Sequence, residues 1–132
     1  MKVLPRWSVL FAAAVLVVTG CASQDGPFDS GDIANVPTEA PTSLVENLDA
    51  ESIRYFGQDP RGADVYGGTI DAEDAWCLVI LDAEGTSGGG CGDGLGQLRV
   101  FFEGCTYRLS QDPVLDAGDE ELLGDHLTVS CP

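Results

Sequence analysis

The chain has 132 residues, with 22 acidic side chains against 6 basic ones, five cysteines and a single histidine, for a formal charge of −16. That length allows one domain beside any processed segment. So acidic a chain has no basic patch to release counterions from phosphates, which excludes nucleic acid as a partner.

The first twenty residues divide into a short basic stretch containing Lys2 and Arg6 and an apolar run from Ser8 to Val18. A basic n-region before an apolar run of this length reads as a secretory signal. As a helix the run would cover about 17 Å, short of the ~30 Å hydrocarbon core, so a permanent span is not expected. The run ends in Val18-Thr19-Gly20-Cys21, which resembles the lipobox of bacterial lipoproteins: aliphatic, small, small, Cys. The resemblance implies cleavage between Gly20 and Cys21 and a diacylglyceryl thioether on the Cys21 sulfur. A thiolate is the side-chain nucleophile suited to that bond. Two acyl chains on one residue meet the requirement for stable anchoring. Residues 1–20 are therefore read as signal peptide, and Cys21 as the lipidation site.

Removing 20 of the 132 residues leaves 112. The mature chain keeps Arg54, Arg61, Arg99 and Arg108 as its four basic residues against all 22 acidic ones, a formal charge of −18. An anionic bilayer repels such a surface, so membrane attachment is expected through the lipid alone.

Residues 21–43 comprise the lipidated cysteine and a Ser-, Thr-, Pro-, Gly- and Asp-rich stretch with no apolar period. The expectation is a disordered acidic linker. As a flexible coil it would hold the domain about 25 Å from the bilayer.

Residues 44–132 are read as the folded domain. Leu44–Leu48 suggests one helical turn capped by Thr42 or Ser43. Ser52–Phe56 and Val65–Ile70 are candidate strands around the turn signal Gln58-Asp59-Pro60-Arg61-Gly62. Trp76–Leu81, apolar on both faces, reads as a central strand. Gln97–Leu109 reads as one long strand bulged at Gly104, Glu120–Leu123 as a short helical turn, and Leu127–Ser130 as the closing strand. The expected class is mainly β, or α+β if the short N-terminal helix forms: a small antiparallel sheet stapled by two disulfides.

Cys77, Cys91, Cys105 and Cys131 form an even set in an exported domain, which reads as two disulfides with three possible pairings. Positions 77 and 91 are symmetric about Glu84. A hairpin with loop Ala83-Glu84-Gly85 pairs Asp82 with Thr86, Leu81 with Ser87 and Cys77 with Cys91. That register favours a Cys77–Cys91 bridge, leaving Cys105–Cys131. A zinc site is disfavoured by the lack of a C-x-x-C pair and by the isolation of His126.

Gly85-Thr86-Ser87-Gly88-Gly89 resembles the nucleophile segment of trypsin-like proteases, with Thr86 where that family has Asp. His126 follows the serine instead of preceding it, so the plainer reading is a glycine-rich strand facing Cys77–Leu81. The later glycines match neither a dinucleotide fingerprint nor a phosphate loop. Carboxylates crowd two regions, Asp71, Glu73 and Asp74, and then Asp112, Asp116, Asp119, Glu120, Glu121 and Asp125. Oxygen ligands in loops suit Ca²⁺, but the spacing fits no EF-hand, and the ordinary role is solvation.

The run Ser52-Ile53-Arg54-Tyr55, then Val65-Tyr66, then Cys77-Leu78-Val79 followed by Cys91, resembles small secreted lipoproteins of actinobacteria. Leu122-Leu123-Gly124-Asp125 before the last strand is a looser match. The resemblance implies an envelope location and supports the Cys77–Cys91 pairing; it supplies no activity. The sequence thus leads to a non-enzymatic, lipid-anchored module on the extracytoplasmic face of the membrane, with no catalytic residue, metal or cofactor assigned. Its partner is an envelope protein or a small molecule of unknown identity. The second reading is a small-ligand or Ca²⁺-binding lipoprotein using the acidic loops.

Overall fold

The computed structural model describes residues 26–70, 75–93 and 96–132. Eight strands form two antiparallel four-stranded sheets. The first holds β1 (Arg54–Gln58), β2 (Asp64–Ile70), β3 (Ala75–Leu81) and β4 (Ser87–Asp93), in that spatial order. The second holds β5 (Gln97–Phe102), β6 (Cys105–Ser110), β7 (Glu121–Leu123) and β8 (Leu127–Ser130), in the order β5-β6-β8-β7. The fold is mainly β, antiparallel and disulfide-bonded, as the sequence implies.

The main core lies between the sheets. Val65, Trp76, Leu78 and Ile80 from the first meet Leu98, Val100, Tyr107, Leu109, Leu127 and Val129 from the second, all buried. Both sheets supply alternate residues, the period-2 signature of strands. Strand β3 goes further, because its other face is apolar too. Cys77, Val79 and Leu81 point away from the second sheet into a separate cluster with Ala40, Leu48 and Ile53. A strand apolar on both faces must be covered on both, and the chain before β1 provides the second cover.

This corrects the expected linker. From Gly26 onward the segment packs on the first sheet instead of standing free. Phe28 is only 8% exposed and lies edge-on to Phe56 and Trp76, with ring centroids 6.0 and 5.8 Å away. Ala34 N–H donates to the Ile53 carbonyl at 2.9 Å. The Arg54 guanidinium donates to four main-chain carbonyls, those of Phe28, Ser30, Glu51 and Ile53, at 2.7–3.0 Å. Compositional polarity hid this, because the few apolar residues of the segment are spaced without period and act as single plugs. The short helix α1 (Thr42–Val45) belongs to the same cover, beginning slightly before the expected turn; Pro41 is its N-cap and no side chain caps it.

Two further expectations are corrected. The long strand bulged at Gly104 is a hairpin, with Phe102 opposite Cys105 and Glu103-Gly104 as its two-residue loop. Both loop residues have positive φ, 48° and 83°, as a type I′ turn requires. Glu at the first position is an unusual residue there, so the usual Asn-Gly or Asp-Gly signal is missing. The expected helical turn at Glu120–Leu123 is strand β7, held antiparallel to β8 with Leu123 opposite Leu127.

The β3–β4 hairpin has the register read from the sequence. Leu81 faces Ser87, Cys77 faces Cys91, and Asp82 N–H donates to the Thr86 carbonyl at 2.9 Å. Gly85 takes the left-handed conformation, φ 84°. Alternate glycines of β4 have a packing reason. A Cβ on Gly88 would lie 2.4 Å from the Phe102 ring, and one on Gly92 2.8 Å from Leu98. The β5 side chains therefore rest on bare β4 backbone, which joins the two sheets at this corner.

Candidate functional site

Cys21 and Gly20 lie outside the described residues, as do Asp71, Glu73 and Asp74. The described chain opens at Gly26, whose N–H donates to the Asp29 carboxylate at 2.6 Å. Gly26 also sits against the Gln111 side chain. A cavity of about 140 Å³ lies beside it, walled by Phe28, Thr69, Trp76 and Gln111. The chain thus enters the fold at the end of the sandwich where β5 begins and β6 finishes; Gln111 N–H donates to the Gly96 carbonyl at 2.9 Å.

The four cysteines form two cross-strand bridges. Cys77–Cys91 links neighbouring strands of the first sheet, with Cα atoms 4.1 Å apart, and Cys105–Cys131 ties the start of β6 to the C-terminal segment at 4.2 Å. The second bridge lies at the opposite end from Gly26, beside the Glu103-Gly104 turn.

A second cavity, also about 140 Å³, is lined by Ser30, Arg54, Tyr55, Asp125 and His126 among others. It gathers His126, the carboxylates of Asp32 and Asp125 and the hydroxyls of Ser30 and Tyr55 in its lining. His126 Nδ1, however, lies 3.1 Å from the Ser110 main-chain carbonyl. The ring is thereby held to the backbone of β6, and among the described residues no hydrogen bond joins the imidazole to Ser30, Asp32 or Asp125. A nucleophile, base and orienting acid in mutual hydrogen-bond contact are the mark of an acyl-transfer triad; these side chains do not make that chain of contacts.

Several acidic residues hold backbone. The Asp82 carboxylate accepts from Glu84 N–H at 3.0 Å and Thr86 N–H at 2.8 Å, closing the β3–β4 turn. Asp116 accepts from Gly118 N–H at 2.9 Å. Such local bonds are why Asp is favoured in turns. Among the described residues no three His, Cys, Asp or Glu side chains converge as a metal site would need, those of Asp112, Asp116, Asp119, Glu120, Glu121 and Asp125 included.

One acid, read from the sequence only as part of a turn, is buried. Asp59 accepts from Arg61 N–H and Ala63 N–H, each at 2.9 Å, and from the buried Tyr107 hydroxyl. It fixes the β1–β2 turn and bolts it to β6 across the core. Its partner is 48 residues away, beyond any local pattern. Burial, and then the hydrogen bond to Asp59, push the Tyr107 phenol above its ordinary range.

The outer face of the second sheet was likewise not singled out. Arg99 stands directly opposite Arg108, and Arg108 opposite Thr128. Glu120 forms an ion pair with Arg108. The Thr128 hydroxyl, aided by Arg108, holds the Glu120 carboxyl below its usual range.

Among the described residues no helix is long and apolar enough to cross a membrane. No protein-family model, curated protein or solved structure matches the chain.

Proposed function

We propose that this chain is a lipid-anchored envelope protein, cut between Gly20 and Cys21 and held on the extracytoplasmic face through acyl chains on Cys21, with a non-enzymatic domain that engages a partner there. The observation that carries the reading is Val18-Thr19-Gly20-Cys21 directly after the apolar run. The two disulfides support it, since such bonds persist in oxidising compartments outside the cytosol. The non-enzymatic part rests on the sequence, in which the one protease-like segment, Gly85–Gly89, has no histidine before it.

Packing of the segment from Gly26 changes the expected geometry of the anchor. Five peptide steps separate Cys21 from Gly26, a reach of at most about 17 Å. The domain therefore works close to the bilayer, with its Gly26 end toward the lipid.

Mass spectrometry of the full chain, expressed in a bacterium that processes lipoproteins, tests this reading. The expected mature N-terminal peptide begins at Cys21 and carries a diacylglyceryl adduct, and Cys21→Ala releases the protein or leaves the precursor uncut. A Cys21→Ala variant that is processed at the same bond and stays membrane-bound overturns it.

A further inference from the structure

Side chains of β5, β6 and β8 that point away from the core share one outer face. On it lie Arg99 and Phe101 from β5, Thr106 and Arg108 from β6, and Ser130 from β8, while Thr128 on the same side is buried. No strand position of this face is acidic, in a chain with 22 acidic residues. Arg99 and Arg108 are directly opposed across the ladder, and like charges so placed are destabilising. Glu120 pairs with Arg108, leaving two guanidinium groups against one carboxylate. Among the described residues Arg99 has no ion-pair partner. The other two arginines of the described chain are engaged elsewhere: Arg54 on four main-chain carbonyls, and Arg61 on the Glu103 carbonyl. Beside Arg99, two residues along the strand, Phe101 is 72% exposed.

We infer that this face binds a carboxylate-bearing sugar chain, with Arg99 as the main anion contact and Phe101 as the platform for a sugar ring. The inference rests on the interaction-module reading above and names its partner class. A guanidinium presents a planar fork that matches a carboxylate with two parallel hydrogen bonds. An exposed aromatic ring offers an apolar surface to the C–H face of a pyranose, and the Thr106 and Ser130 hydroxyls lie alongside as hydrogen-bond partners. Charge decides the shape of the ligand. The positive strip is about two strands wide, roughly 5 Å between neighbours, and the rest of the molecule is acidic. A bilayer or a broad acidic protein surface would overlap the acidic surroundings and be repelled; a thin chain lies along the strip. The small excess of positive charge suits singly charged carboxylates better than phosphomonoesters, which carry close to two charges.

Calorimetric titration of the full chain in neutral detergent tests the proposal, with trigalacturonic acid as probe, galactotriose as its uncharged counterpart, and phosphatidylglycerol vesicles as the membrane alternative. Trigalacturonic acid is expected to bind, weakly and with strong salt dependence, and galactotriose to bind much less. Loss of a charge-assisted contact in Arg99→Ala should weaken binding by roughly tenfold or more. Phe101→Ala should weaken it by about fivefold, the scale of one aromatic contact. Both side chains are exposed, so thermal melts of the variants should match the parent. Equal binding of the two trimers, no binding of either, indifference to Arg99→Ala, or preference for the vesicles would each overturn the assignment. Failure here leaves the Cys21 mass result untouched, and failure of that result leaves the titration standing, so the two readings fall separately.

Discussion

At Tyr107 the phenolic hydroxyl donates to the buried Asp59 carboxylate, which also receives two backbone N–H groups of its own turn. Tyr107→Phe removes one of three donors from a buried charge and should destabilise the fold by about 1–3 kcal/mol, read from urea midpoints at pH 7. The same contact sets an alkaline limit. Burial and Asp59 raise the Tyr107 phenol. At Tyr55 the hydrogen bond to Asp64, followed by burial, pushes the phenol up to about 12. An unfolded tyrosine titrates near pH 10, so above that the folded state binds more protons than the unfolded one, and stability falls as pH rises. Below about pH 10 this contribution is complete. Tyr55 is half exposed, and water screens its share. Unfolding free energy should therefore drop as pH rises from about 10 toward 12, and Tyr107→Phe should flatten the drop. A parent curve that is level over that range would count against the Tyr107–Asp59 bond.

Among elements, β4 gives the sharpest contrast. A Cβ at Gly89 would fall 2.0 Å from the Leu78 carbonyl oxygen, whereas one at Gly90 meets Val100 at 3.4 Å. Gly89→Ala should thus cost about 1–3 kcal/mol through forced backbone movement. Gly90→Ala should be much milder, and thermal melts of the two variants decide it. The N-terminal cover makes a second test. Phe28 contacts Phe56 and Trp76 in the core, and a buried Phe→Ala change typically costs about 3–5 kcal/mol. Phe28→Ala should approach the lower end, because this residue sits at the end of the sandwich. A variant as stable as its parent would restore the linker reading.

For the molecule as a whole, the two bridges close segments of 14 and 26 residues. Chain-entropy arguments give about 3 and 3.5 kcal/mol for loops of those sizes. Replacing Cys105 and Cys131 together by serine should therefore lower the melting temperature by many degrees, on the scale of about 4–8 °C per kcal/mol for a domain of this size. The same pair joins β6 to the end of the chain, far from where Gly26 enters, so its loss should open the end remote from the proposed anchor first; hydrogen exchange resolved along the chain reads this out. The lipid on Cys21 and the short reach to Gly26 place the opposite end toward the bilayer in the proposed arrangement.

The amino-acid order alone determined the class of fold and the β3–β4 register, and it favoured the two disulfide pairings that the structure shows. These depend on short-range facts: alternation along a strand, the symmetry of positions 77 and 91 about Glu84, and an even set of cysteines. It also carried the motif at Cys21 on which the functional proposal stands. Tertiary structure decided what depends on distant partners. The segment from Gly26 is ordered because the outer face of β3 needs a cover, a need written in Cys77, Val79 and Leu81 and not in the segment itself. The strand expected over Gln97–Leu109 splits in two because Glu103 accepts a positive φ, which its residue type does not announce. Arg99 and Arg108 meet only once that turn sets their register, so the face they form was invisible until the hairpin closed.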